Sequence, residues 1–89
     1  MLSIKVLGPG CKNCELLAQH ARQAVERVLA VHPNVEVNVE KVTDVRIFAN
    51  YGLLVTPGLV VNERLVSSGR IPSQSQIQAW LEDVLLHEG

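Results

Sequence analysis

Cys11 and Cys14 are the only thiols in this 89-residue chain, and they stand in the stretch GPGCKNC, residues 8 to 14. A pair at this spacing can cycle between dithiol and disulfide, give two ligands to a soft metal, or fill space as small apolar side chains. The helix that follows discriminates between these uses. With Cys11 at its N-cap, the unpaired N–H groups of the first turn favour a thiolate over a thiol. Cys14 then falls on the same arc as Leu17, Ala21 and Val25 and turns inward, leaving Cys11 nearer solvent. Such a pair divides the labour of disulfide exchange. Cys11 attacks a partner disulfide, and Cys14 attacks the mixed disulfide at the Cys11 sulfur, releasing the reduced partner and leaving an intramolecular disulfide. The reverse flow of electrons oxidises a dithiol partner. Lys12 adds positive charge beside Cys11, although a lysine on an exposed helical turn is ordinarily solvated surface. Asn13 restrains the turn less than proline does.

A second stretch, VTPG at residues 55 to 58, bears on the same chemistry. Pro57 precedes an apolar run and removes one backbone donor; a cis Thr56–Pro57 bond would leave the Thr56 backbone free to receive an extended substrate segment. Local sequence alone favours trans, the commoner isomer.

The elements that must position these residues follow from periodicity. LSIKVLG, residues 2 to 8, alternates Leu2, Ile4 and Val6 with Ser3, Lys5 and Leu7 and stops at Gly8, Pro9 and Gly10, as a strand would. From Lys12 to Val31 the apolar spacing is helical, and Pro33 and Asn34 end it. VEVNVEKV, residues 35 to 42, alternates valines with polar residues as a strand with one wet face. Thr43 or Asp44 caps a short helix over residues 43 to 51 that Gly52 closes. LVVN and RLVSSG form a hairpin about Asn62 and Glu63, and a helix entered through Ser73 and Gln76 carries Ile77, Trp80, Leu81, Val84 and Leu85. The order β-α-β-α-β-β-α predicts an α/β fold: a four-stranded mixed sheet, the first and third helices on one face and the short middle helix on the other.

Composition narrows the partners. The length suits one domain, residues 1–89, and 47% hydrophobic residues suffice for a modest core. No run of about 20 apolar residues and no signal-peptide pattern is present, so no membrane association and a cytoplasmic location are expected. Eight basic and nine acidic residues give a net charge of −1. That balance, with Phe48, Tyr51 and Trp80 scattered, argues against a nucleic-acid partner. A disulfide between Cys11 and Cys14 encloses too small a loop to staple the chain. A closed zinc site needs four ligands, and His20, His32 and His87 show no spacing that completes one, so each reads as a surface histidine and neither metal nor cofactor is expected. A soft-metal carrier using the two thiolates stays open as an alternative, although such carriers end their fold with a strand and this chain ends with a helix. A noncatalytic interaction module with inert cysteines is the other alternative.

The motifs and their order resemble the small thioredoxin-like or glutaredoxin-like redox-active disulfide proteins of prokaryotes. The resemblance rests on KVLGPGCKNC, NYGLLVTPGLVVN and VSSGRIPSQSQIQAWL and spans nearly the whole chain. It implies a thioredoxin-like fold, Cys11 as exposed nucleophile, Cys14 as resolving thiol, and Thr56–Pro57 as a cis-proline substrate platform. It also implies a disulfide or dithiol protein as partner, with a flavin-dependent disulfide reductase as electron donor; a monomer suffices. Gly69 matches the small residue at the end of the last strand, where it allows close approach to the site or simply makes a turn. Some positions depart from the larger relatives. Gly10 stands where thioredoxin has tryptophan, Lys-Asn separates the cysteines, and Lys5 lies where thioredoxin has a buried carboxylate; the expectation for Lys5 is that its amine runs out between strands.

Overall fold

The computed structural model describes residues 2–53 and 55–87; Met1, Leu54, Glu88 and Gly89 lie outside it. Strand β1 (Leu2–Leu7) leads through the cysteine turn to helix α1 (Lys12–Val31), then β2 (Val37–Val42), the short α2 (Val45–Asn50), β3 (Gly58–Val61), β4 (Arg64–Ser68) and α3 (Gln74–His87). The sheet runs β2-β1-β3-β4, with β1 parallel to β2 and antiparallel to β3, and β3 antiparallel to β4. This is the expected thioredoxin-like order, a βαβ crossover joined to a hairpin.

Alternation along β1 sorts the core into two parts. Leu2, Ile4 and Val6 face α1 and α3 and pack with Leu17, Val28 and Leu81, while Leu7 faces the opposite way and packs with Val42, Phe48, Leu53 and Val60 under α2. Each fully buried leucine or isoleucine contributes about 1.5–3 kcal/mol of transfer free energy. The two clusters together clamp β1 and β3, whose apolar residues are buried on both faces.

Local chemistry sets the element ends. Lys12–Val31 is helical over the span expected, and His32 donates its N–H to the Val28 carbonyl at 2.7 Å before Pro33 stops the helix. β2 begins at Val37 rather than Val35, because only from there does it pair residue for residue with β1. Val35 still packs against the main core. Asp44, not Thr43, caps α2, its carboxylate accepting from the Arg46 N–H at 2.9 Å. Ser73 caps α3 by accepting from the Gln76 N–H at 3.1 Å.

The β3–β4 turn has φ of 48° at Asn62 and 67° at Glu63, the double left-handed geometry of a tight hairpin turn. A non-glycine residue there costs about 1–2 kcal/mol. Tertiary bonds offset the cost. Asn62 exchanges 2.8 Å hydrogen bonds with the Ser3 backbone, accepting through Oδ1 and donating through its N–H. Glu63 accepts from Lys5 Nζ at 2.9 Å and from Tyr51 Oη at 2.6 Å.

His20 departs from the surface reading. It is half-buried, and its Nδ1–H donates to the Pro72 carbonyl at 3.0 Å, tying α1 to the loop before α3. The acceptor belongs to a segment 52 residues away, so nothing near His20 in sequence signals it.

Candidate functional site

The site forms where β1 delivers the chain to α1. Gly10, at φ 94°, turns it, and a Cβ there would meet nothing within 4 Å, so backbone conformation alone accounts for glycine at this position. Cys11 follows in extended geometry as the helix cap, its Sγ accepting from the Cys14 N–H at 3.2 Å. A sulfur thus takes the place of the usual capping oxygen and sits against the positive end of a 20-residue helix. Cys11 is exposed and Cys14 is 5% exposed, and the two are joined in a disulfide. Lys12 and Asn13 stand exposed on the first turn.

The second stretch meets this turn at Gly8, through the strand β3 that pairs with β1. Thr56–Pro57 is a cis peptide, with Thr56 exposed and Pro57 buried. Gly8, the last buried residue before the turn, lies between the two motifs: a Cβ on it would overlap Cys14 Sγ and stand 3.9 Å from the Pro57 Cβ. Gly8 reads in the sequence as part of a turn; its packing role comes from the Cys14 side chain folded against it, with Pro57 at ordinary contact distance. Gly69, at φ 69°, donates its N–H to the Pro57 carbonyl at 2.9 Å, and a Cβ there would stand 2.9 Å from Val55 Cγ1. The positive φ accounts for a glycine in this turn, and the close neighbour is Val55 rather than either cysteine.

Lys5 lies apart from the cysteines. Its ammonium donates to Glu63 and, at 2.8 Å, to Tyr51 Oη, and stands 5.4 Å from the centre of the Tyr51 ring. The Glu63 carboxylate, followed by the Tyr51 hydroxyl, holds the Lys5 pKa well above the usual lysine range, and Lys5 in turn holds the Glu63 carboxyl below its usual range.

A different charged pair borders the site. Lys41 Nζ donates to both oxygens of Glu15 at 2.7 Å. The two residues, with Val6, Gly8, Gly10, Cys14 and Thr43, enclose a cavity of about 30 Å³. The wider groove along β4 and the start of α3, lined by Ser67, Arg70 and Trp80, contains neither cysteine. Lys41 carried a readable signal: it continues the odd-numbered row Val35, Val37, Val39 on the core-facing side of β2 and breaks its apolar pattern. For a soft metal the available ligands would be the two cysteine sulfurs; among the described residues no group of three or more His, Cys, Asp and Glu side chains is placed to hold a metal.

A mixed four-stranded sheet with a C-x-x-C pair at the start of its first helix, facing a proline loop, defines a thioredoxin-like protein suited to thiol–disulfide chemistry. The sequence matches the family described as Thioredoxin domain over residues 2–82, and the chain belongs to that family. It is 32% identical over 81 residues to a thioredoxin of Methanothermobacter thermautotrophicus, covering 91% of this chain and 99% of that one. To a thioredoxin of Methanocaldococcus jannaschii it is 32% identical over 85 residues, covering 96% of this chain and 92% of that one. Among solved structures, the zinc-bound form of human ERp44 superposes with a TM-score of 0.67 at 15% identity, covering 92% of this chain and 26% of that one, a likeness of fold.

Proposed function

We propose that this protein is a thiol–disulfide oxidoreductase in which Cys11 is the entering nucleophile and Cys14 the resolving thiol. The observation that carries this reading is the disulfide joining an exposed sulfur at a helix N-cap to a buried sulfur one turn on. In the reduced protein the helix N-terminus stabilises a Cys11 thiolate, which attacks one sulfur of a partner disulfide and expels the other as thiolate. Cys14, held within bonding distance of Cys11, displaces the partner's remaining sulfur and restores the internal disulfide. Two electrons pass to the partner. The exposed Thr56 backbone beside buried Pro57 serves as the rail on which an extended partner segment docks.

The partner class is a protein carrying a disulfide or a dithiol, in line with relatives that are thioredoxins. A flavin-dependent disulfide reductase is the proposed source of electrons. Gly10, Lys12 and Asn13 tune the thiolate and the freedom of the turn, and the chain works as a monomeric single domain in the cytoplasm.

A glutathione redox titration of the purified protein, read by alkylation and intact mass, tests the assignment. The expected result is a reversible two-electron transition confined to Cys11 and Cys14. A folded protein that forms no internal disulfide across the range would overturn it and direct attention to soft-metal binding by the same two thiols.

A further inference from the structure

The net charge of −1 is not spread evenly over the molecule. At the end that carries the cysteines, Glu15 is bound by Lys41 at 2.7 Å, and Asp44, next to Thr43, is bound by Arg46 at 2.9 Å. Those acids are offset where they stand. Two cations at the same end have no acidic partner among the described residues. Lys12 is exposed directly after Cys11, and Arg70 is exposed directly after Gly69, whose N–H is bonded to the Pro57 carbonyl at 2.9 Å. They stand on the cysteine side and the proline side of the site. The other acids lie elsewhere. Glu26 is about 21 Å from Lys12 along the axis of α1, at 1.5 Å per residue. Glu40 is on the outer strand β2, and Glu63 is in the β3–β4 turn, paired with Lys5. Glu36 precedes β2 beside Leu2, Glu82 lies with His32 and Val35, and Asp83 lies with Arg64, all at the pole opposite the cysteines. Charges at physiological ionic strength are screened over about 8 Å, so a partner at the cysteines feels Lys12 and Arg70 rather than that distant pole.

We infer that this protein selects its exchange partners by charge, with Lys12 and Arg70 receiving the carboxylates of an acidic segment that flanks the partner's disulfide. The inference rests on the exchange reading above and names the substrate class of that site. A segment extended along the Thr56 backbone runs beside Gly69 and meets Arg70, whose guanidinium can take a carboxylate through two parallel hydrogen bonds. Beyond Arg70, the groove between β4 and α3 is lined by Ser67, Ser68, Ser73, Gln76 and Trp80, with no acid among its described residues. A continuing acidic chain therefore meets hydroxyls, an amide and an indole, and no like charge. On the cysteine side, Lys12 faces whatever follows the attacked sulfur. A basic segment at the same place is repelled from both sides. The exchange chemistry is unaltered: the partner's disulfide gains two electrons and two protons, and the Cys11–Cys14 dithiol gives them up as its S–S bond forms. Charge selection of this kind acts chiefly on the rate of encounter.

Three cyclic peptides, alike except for Glu, Gln or Lys on both sides of a single disulfide, test the selection. The reduced protein is mixed with each, the reaction is quenched in acid, and the second-order rate is divided by that of the same peptide with dithiothreitol, which removes the peptide's own effect on thiolate attack. The Glu peptide is expected to react about tenfold faster than the Lys peptide at low ionic strength, with the Gln peptide between them and the difference collapsing in about 1 M salt. Arg70→Gln and Lys12→Gln should each cut the Glu-to-Lys ratio by about two- to threefold; any change in the thiolate itself cancels in that ratio. Arg64→Gln, which removes the same charge at the opposite pole, should leave the ratio as it is. Equal rates for the three peptides, or a ratio that falls as far in Arg64→Gln as in Arg70→Gln, would overturn the inference. No exchange with any of the peptides, as disulfides with the reduced protein or as dithiols with the oxidised one, would instead overturn the exchange reading on which it stands.

Discussion

The two faces of the sheet hold the two halves of the site by different means. On one face α1 lies over a large cluster shared with α3, and the cysteines ride at the end of that helix. On the other, a six-residue helix and the loop after it cover a small cluster of Leu7, Val42, Phe48, Leu53 and Val60, and the proline loop leads out of it. A cysteine pair set on the larger cluster thus faces a proline loop set on the smaller one. Exchange between two sulfurs needs them in fixed register, whereas the proposed docking of a partner segment tolerates a smaller local stability.

The sharpest way to break this comparison is to remove chemistry from one half. Cys11→Ser is expected to abolish disulfide reduction, whereas Cys14→Ser should accumulate a mixed disulfide with a test substrate, visible by intact mass. Next in size are the cores. Leu17→Ala, beneath α1, is expected to lower unfolding free energy by about 3–4 kcal/mol, and Leu53→Ala, beneath the loop, by about 2 kcal/mol, both measured by denaturant titration. Equal losses would erase the difference between the faces. Gly8→Ala, at the seam between the halves, forces a methyl into Cys14 Sγ and is expected to cost about 1–3 kcal/mol of stability and to slow resolution of the mixed disulfide. Glu63→Gln should have the least effect. Because Lys5 and Tyr51 lower the Glu63 pKa from its usual 4.5, its contribution is complete above that pH and is lost as pH falls through the lowered value. The variant should therefore show a shallower acid limb in a plot of stability against pH, with little change in redox activity; an unaltered limb would show that the network does not bear on stability.

Elements built from local repetition were legible in the sequence: the alternation of β1, the long periodicity of α1, and the Ser73 start of α3. So was the cysteine pair, since its spacing and its place after a strand are local facts. Features made by distant partners were not. The Asn62–Glu63 turn reads weakly because glutamate avoids positive φ, and it is Lys5 and Tyr51 that make it tenable. His20 finds Pro72, and the isomer of Thr56–Pro57 cannot be read from a local preference that runs toward trans. Lys41 lies between these cases: the parity of β2 put it on the inner face, but only the fold brings Glu15 to it.

The position of β1 bears on how the chain is made. It precedes both of its neighbours in sequence yet lies between them, so a ribosome delivers the central strand before either flank. The crossover through α1 allows β2 to close one side, but the other waits for β3. A nascent chain that has reached only Asn50 therefore presents the backbone edge of Ile4 to Leu7 unpaired, beneath apolar side chains still lacking part of their cover. Fragments cut after α2 should associate with one another through that edge, and synthesis through β3 is what removes the hazard.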